Sequence, residues 1–157
     1  RMKFEGESRL RRVRATVWDA LVDPAIIERC TPGCQSLSIV APDDFELVTK
    51  VGIASISGTY KGRMRLGEKV AGERYAMSAE GAGPIGTMSV AGVVTLADEG
   101  DETLVGYSFE ATVGGAMTGM AQRALLPIAK LLTKQFFKSV DQLLAGEAVP
   151  AADEVES

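Results

Sequence analysis

Apolar and polar residues alternate from the start of the chain, with Met2, Phe4 and Gly6 set against Lys3, Glu5 and Glu7, which predicts an opening strand. A basic cluster at Arg9, Arg11, Arg12 and Arg14 follows. Val17, Trp18 and Leu21 then fall on one face of a short helix between Val13 and Val22. Asp23-Pro24 supplies an N-cap and a first-turn proline for a second short helix through Ile26, Ile27 and Arg29. Cys30-Thr31-Pro32-Gly33-Cys34 ends that helix in a turn. From 35 to 113 the period is two, as in Phe45, Leu47, Thr49, Val51, Ile53 and in Tyr60, Met64, Leu66, and turn residues separate the runs. Six consecutive antiparallel strands are predicted. From Ala116 to Ala145 the period returns to helical, with Ala121, Leu125, Ile128, Leu132, Phe136 and Leu143 on one side and Pro127 expected to kink the helix.

A strand, two short helices, six strands and one long helix make an α+β fold of helix-grip type: a curved antiparallel sheet whose concave face the last helix closes. Residues 2 to 146 read as one domain, and 147 to 157 as a loose acidic tail. Inward parity groups Gly58 and Gly62 with Tyr60 and Met64, and Gly92 with Val90 and Val94. Glycine there either bends the sheet or leaves a cavity. Met64, Met77 and Met88 share the inward parity, and Met117 and Met120 open the long helix; flexible thioethers suit either a core gap or an apolar ligand. The apolar cavity expected from this pattern is lined by Tyr60, Gly62, Met64, Tyr75, Met77, Met88, Val90, Gly92, Tyr107, Phe109, Met117, Met120, Ala121, Leu125 and Ile128. Tyr60, Tyr75, Tyr107 and Thr49 could orient a carbonyl. The entrance is expected between the flexible hairpin Gly81 to Gly86, with Ile85 at its tip, and the start of the long helix.

The 157 residues fit one domain, and 46% hydrophobic with 24% charged residues describe an ordinary globular chain. A net charge of −4 argues against a nucleic-acid partner. Histidine is absent, which removes the commonest general base and metal ligand. Cys30 and Cys34 are spaced CxxxC with no second pair, so a structural turn is favoured over a redox or metal site, and a reducing cytosol suits them. Gly81 to Gly86 lacks the Lys-Ser/Thr ending of a phosphate loop. No apolar run is long enough to span a bilayer and no signal peptide opens the chain, so the reading is of a soluble protein. Between Ala116 and Val140 the only charges are Arg123, Lys130, Lys134 and Lys138, within roughly 80° of one another on a helical wheel. That stripe is either a solvated face or a contact for anionic lipid or an acidic partner. Arg9 to Arg14 would form a second basic surface.

The stretch Asp23 to Cys34, Lys50-Val51-Gly52, Gly58-Thr59-Tyr60-Lys61-Gly62, Val113-Gly114-Gly115 and Gln135-Phe136-Phe137 resembles the CoxG family of carbon monoxide dehydrogenase proteins, within the START/Bet v 1-like (SRPBCC) superfamily. The likeness covers Met2 to about Leu144, with arginines at Leu10 to Arg14 where the family pattern has prolines. The resemblance implies a non-catalytic protein that needs no cofactor and binds an apolar ligand, a quinone such as menaquinone. It implies partnership with a molybdenum-containing CO dehydrogenase and a cytoplasmic protein peripherally associated with the cytoplasmic face of the membrane. Two alternatives stand beside that carrier: a membrane-recruitment or assembly adaptor with no carried ligand, and an enzyme resembling polyketide cyclases.

Overall fold

The computed structural model describes residues 2–53, 56–115, 119–149 and 155–156, without the side chains of Met120, Ala121, Val155 and Glu156. The opening alternation forms β1 (Met2–Leu10), which buries Phe4 and Leu10. Helix α1 (Arg14–Leu21) buries Val17, Trp18, Ala20 and Leu21. Helix α2 (Pro24–Cys30) starts as its sequence dictates: the Asp23 carboxylate accepts the Ala25 N–H at 2.9 Å, and Pro24 occupies the first turn. The turn after it depends on Gly33 at φ 74°, a conformation glycine adopts without steric cost.

Six strands follow: β2 (Cys34–Ala41), β3 (Asp44–Gly52), β4 (Gly58–Val70), β5 (Arg74–Gly83), β6 (Gly86–Glu99) and β7 (Glu102–Gly114). All pair antiparallel, and the spatial order is β1-β7-β6-β5-β4-β3-β2. Helix α3 (Gly119–Leu144) lies over the concave face, 26 residues and about 39 Å long, and runs on through Pro127. The fold is thus the expected helix-grip. The segment Gly81 to Gly86 is a tight turn: Gly83 pairs with Gly86, and only Pro84 and Ile85 stand between them. The tail begins with tethers, since Arg11 bonds the Glu147 carboxylate and Arg29 donates to the Val149 carbonyl at 2.7 Å. Further on, β8 (Val155–Glu156) pairs parallel with β3 at Val51 and Gly52.

Most buried apolar side chains among the described residues fall into two clusters. The larger joins α1, α2 and the C-terminal half of α3, through Phe137 and Val140, to residues of β1 through β7. Each large side chain buried there contributes about 1.5 to 3 kcal/mol. The smaller joins Val51, Ile53, Ile56 and Ile128, with Tyr60, Ile85, Ala124 and Leu132 packed on it. Arg11 pins the first region, its backbone N–H and its guanidinium both donating to the Asp141 carboxylate near the end of α3. Space remains between the clusters, and it forms the site.

Candidate functional site

A cavity of about 370 Å³ lies between the sheet and α3, within the roughly 300 to 1,000 Å³ usual for small-molecule sites. Its sheet wall is built from cross-strand rows. Met64 faces Ala79 and Ala79 faces Val90; one row nearer the Pro84-Ile85 turn, Leu47 faces Gly62, Gly62 faces Gly81 and Gly81 faces Met88. The Gly62–Gly81 pair leaves bare backbone, which is why the backbone of Lys61, Arg63 and Glu80 reaches the cavity although their side chains point the other way. Met64, Met77, Ala79, Met88 and Val90 face inward yet stay half-buried, because one side of each borders the cavity. Opposite them α3 presents Leu125, Ile128, Ala129, Leu132 and Phe136. Ile56 and Ile85 close the end beside β3, and Thr31 and Pro32 of the α2–β2 turn add a further edge.

Ten of the expected lining residues therefore meet in one cavity: Tyr60, Gly62, Met64, Tyr75, Met77, Met88, Val90, Phe109, Leu125 and Ile128. Gly92 and Tyr107 do not. Gly92 pairs with Phe109, whose ring covers it; a β-carbon there would meet the Ser108 carbonyl oxygen at 2.0 Å and the Phe109 ring at 2.5 Å. Gly92 makes room for a ring, not for a ligand. Tyr107 likewise lies over its partner Gly6 and stacks on Phe137 with centroids 5.2 Å apart, so its ring belongs to the solid core. Gly58 too is occupied, its would-be β-carbon 2.6 Å from Pro84. Met117 lies outside the described residues, as do the side chains of Met120 and Ala121, so the helix side of the expected entrance falls there as well. On the hairpin side, Ile85 and Gly86 do line the cavity, and Ile85 packs on the smaller cluster instead of projecting from a flexible tip.

The polar groups on the wall are largely occupied by their own backbone. Tyr60 donates to the Ile56 carbonyl at 2.5 Å, Thr31 to Ile27 at 2.6 Å and Thr133 to Ala129 at 2.8 Å. Burial raises the pKa of the Tyr60 and Tyr75 hydroxyls above the usual tyrosine value, so both keep their protons. Cys30 and Cys34 are free and buried; burial pushes Cys30 up to about 11 and raises Cys34 too, which suits inert thiols in a structural turn. Among the described residues no group of His, Cys, Asp and Glu side chains could hold a metal ion, and no helix is long and apolar enough to cross a membrane.

The two basic segments fare differently. Arg9 pairs with Glu99 and Glu102, Arg11 with Asp141 and Glu147, and Arg14 with Asp98 at 2.9 Å, so the second basic surface expected from the sequence is largely neutralised. Arg123, Lys130, Lys134 and Lys138 are exposed on the outer side of α3, together with Pro127 and Leu131. None of these four cations forms an ion pair among the described residues.

The sequence model of CoxG, the G-type subunit of carbon monoxide dehydrogenase, matches residues 6–145. The chain belongs to the CoxG family. CoxG membership associates it with carbon monoxide dehydrogenase. Among solved structures, a conserved protein from Geobacillus kaustophilus is 29% identical with a TM-score of 0.87, over 92% of this chain and 96% of that one. A START superfamily protein from Mycobacterium smegmatis shares the fold at 10% identity, TM-score 0.68, over 90% of this chain and 98% of that one. The di-domain ARO/CYC StfQ from the steffimycin biosynthetic pathway does so at 12% identity, TM-score 0.68, over 92% of this chain and 51% of its own. No curated protein matches this chain in sequence.

The residues missed from the sequence divide by kind. Leu132 and Phe136 continue the helical spacing of Leu125 and Ile128, so their phase along α3 was available as a signal. Thr31, Pro32 and Ile56 sit in turns, where no periodicity exists to read.

Proposed function

We propose that this CoxG-family chain carries an uncharged, largely apolar ligand, a quinone of the menaquinone type, between sheet and α3. Its place is the cytoplasmic face of the membrane, in the service of a molybdenum-containing CO dehydrogenase. The observation that carries the reading is the cavity itself: apolar side chains line it, and Gly62 opposite Gly81 keeps its wall bare. Removing ligand surface from water there contributes about 2.5 kcal/mol per 100 Å². The protein carries rather than converts its ligand in this reading, because the cavity's tyrosines are held protonated and the Thr31 and Thr133 hydroxyls bond their own helices.

The exposed stripe of Arg123, Lys130, Lys134 and Lys138 supports a recruiting role as well, since each basic residue near an anionic bilayer is worth about 1 kcal/mol. Carrier and adaptor are then two faces of one helix: the inner face holds the ligand, the outer one holds the surface that supplies it. The test is organic extraction and mass spectrometry of protein purified without detergent from a quinone-containing host. One quinone per chain is expected; a chain with no extractable ligand leaves recruitment alone.

A further inference from the structure

Three tyrosines lie on the concave side of the sheet, and their hydroxyls have different fates. Tyr60 is committed to the Ile56 carbonyl, and Tyr107 lies over Gly6 and stacks against Phe137 outside the cavity. Tyr75 is 4% exposed, lines the cavity, and packs edge-on against Trp18 with centroids 5.7 Å apart. Among the described residues nothing hydrogen-bonds its hydroxyl. The oxygen is nevertheless not sealed in, since among the described residues no fully enclosed side-chain oxygen or nitrogen lacks a partner. It therefore keeps some accessible surface, and Tyr75 is among the residues that line the ligand cavity. Burial raises its pKa far above the tyrosine norm, so it faces low-polarity space and keeps its hydrogen to donate.

We infer that the Tyr75 hydroxyl is the deep specificity contact of the cavity, donating a hydrogen bond to a neutral acceptor oxygen, a conjugated carbonyl, at the leading end of the ligand. The inference rests on the carrier reading and refines it. Leu21, Ile27, Leu66, Val94 and Phe109 share this part of the lining, so a carboxylate brought there would be buried without a counter-charge. A hydrocarbon would leave the hydroxyl unpaired. A neutral carbonyl satisfies it. The ligand accordingly enters ring first, with its tail toward Ile85 and Ile128. A polar group that must be paired discriminates more sharply than apolar shape does.

The experiment uses two small probes: menadione, which has the carbonyls, and 2-methylnaphthalene, which has the same fused ring without them. Binding of each to the parent and to Tyr75→Phe is measured by titration calorimetry, with a thermal midpoint to confirm that the variant folds. Tyr75→Phe keeps the ring on Trp18, so menadione should weaken about fivefold, as for one neutral hydrogen bond, while 2-methylnaphthalene binds unchanged or tighter. The infrared carbonyl band of menadione bound to the parent gives a readout that needs no variant. It should lie below its position in an apolar solvent. An unshifted band, or equal losses for both probes, overturns the Tyr75 assignment and leaves the carrier reading standing. Failure of both probes to bind the parent overturns the carrier reading and this inference with it.

Discussion

Gly62 on β4 stands directly opposite Gly81 on β5, and the two together form a bare stretch of cavity wall. Three other inward glycines are filled: Phe109 covers Gly92, Tyr60 covers Gly83 and Tyr107 covers Gly6. Glycine thus has two uses on one face, to admit an aromatic ring from a neighbouring strand and to hold space open.

The difference is measurable. A β-carbon at Gly81 would stand 3.7 Å from its nearest neighbour, the Lys61 carbonyl oxygen, so Gly81→Leu should fold with a loss under about 1 kcal/mol and fill the cavity. Gly92→Leu should cost at least about 3 kcal/mol, because its β-carbon meets backbone that cannot move aside. Chemical denaturation of both variants, paired with ligand extraction, checks this. Similar losses for the two would remove the distinction.

Charge reversal at Lys130, Lys134 and Lys138 should weaken sedimentation with anionic vesicles, most at low salt, while each change moves stability by no more than about 0.5 kcal/mol. Arg11→Glu should act in reverse, lowering stability by breaking the contacts with Asp141 and Glu147 and leaving vesicle binding nearly intact. Vesicle binding that is indifferent to the three lysines would remove the stripe from the account.

Period-two patterning made the sheet legible, and parity placed Met64, Met77 and Met88 correctly on its inner face. Parity assigns a face but says nothing of the neighbour across the strand gap. Gly92 and Tyr107 were misplaced for that reason: both face inward, and both are used up by ring-on-glycine packing that only the register of β6, β7 and β1 fixes. The Arg9 to Arg14 cluster was similarly opaque, since its acidic partners Asp98, Glu99, Glu102, Asp141 and Glu147 lie far along the chain. The stripe on α3 was readable because helical phase is local.

Hydrogen exchange should divide α3. Phe137 and Val140 are packed into the larger cluster beside the Arg11–Asp141 contact, whereas Leu125 and Ile128 border the cavity. Amides from Leu125 to Leu132 should therefore exchange faster than those from Phe137 to Val140 in ligand-free protein, and slow when a quinone is added. Protection that is uniform along α3 and unmoved by ligand would contradict this.

Stability should vary little between about pH 5 and 8, since no histidine titrates. Asp44 and Glu147 have carboxyls lowered chiefly by hydrogen bonds from Arg63 and Arg11, so their stabilisation is complete above the unfolded value near 4 and is lost as pH falls through the folded one. Cys30 and Cys34 are raised by burial, so stability should also fall as pH climbs from about 8.5, where unfolded thiols ionise. Thermal midpoints across pH 3 to 10 should trace a plateau with two shoulders. A step near pH 6.5 would contradict it.

The central claim, that the space between sheet and α3 carries a quinone taken from a membrane, is tested most directly by transfer from vesicles. Ligand-stripped protein is mixed with anionic vesicles containing menaquinone, the vesicles are floated away, and quinone in the protein fraction is quantified by mass spectrometry. The parent should retain about one equivalent, Gly81→Leu only a small fraction of it, and the Lys130, Lys134 and Lys138 reversals should slow the transfer without lowering its end point. Equal quinone with the parent and with Gly81→Leu, or none with either, would contradict the account.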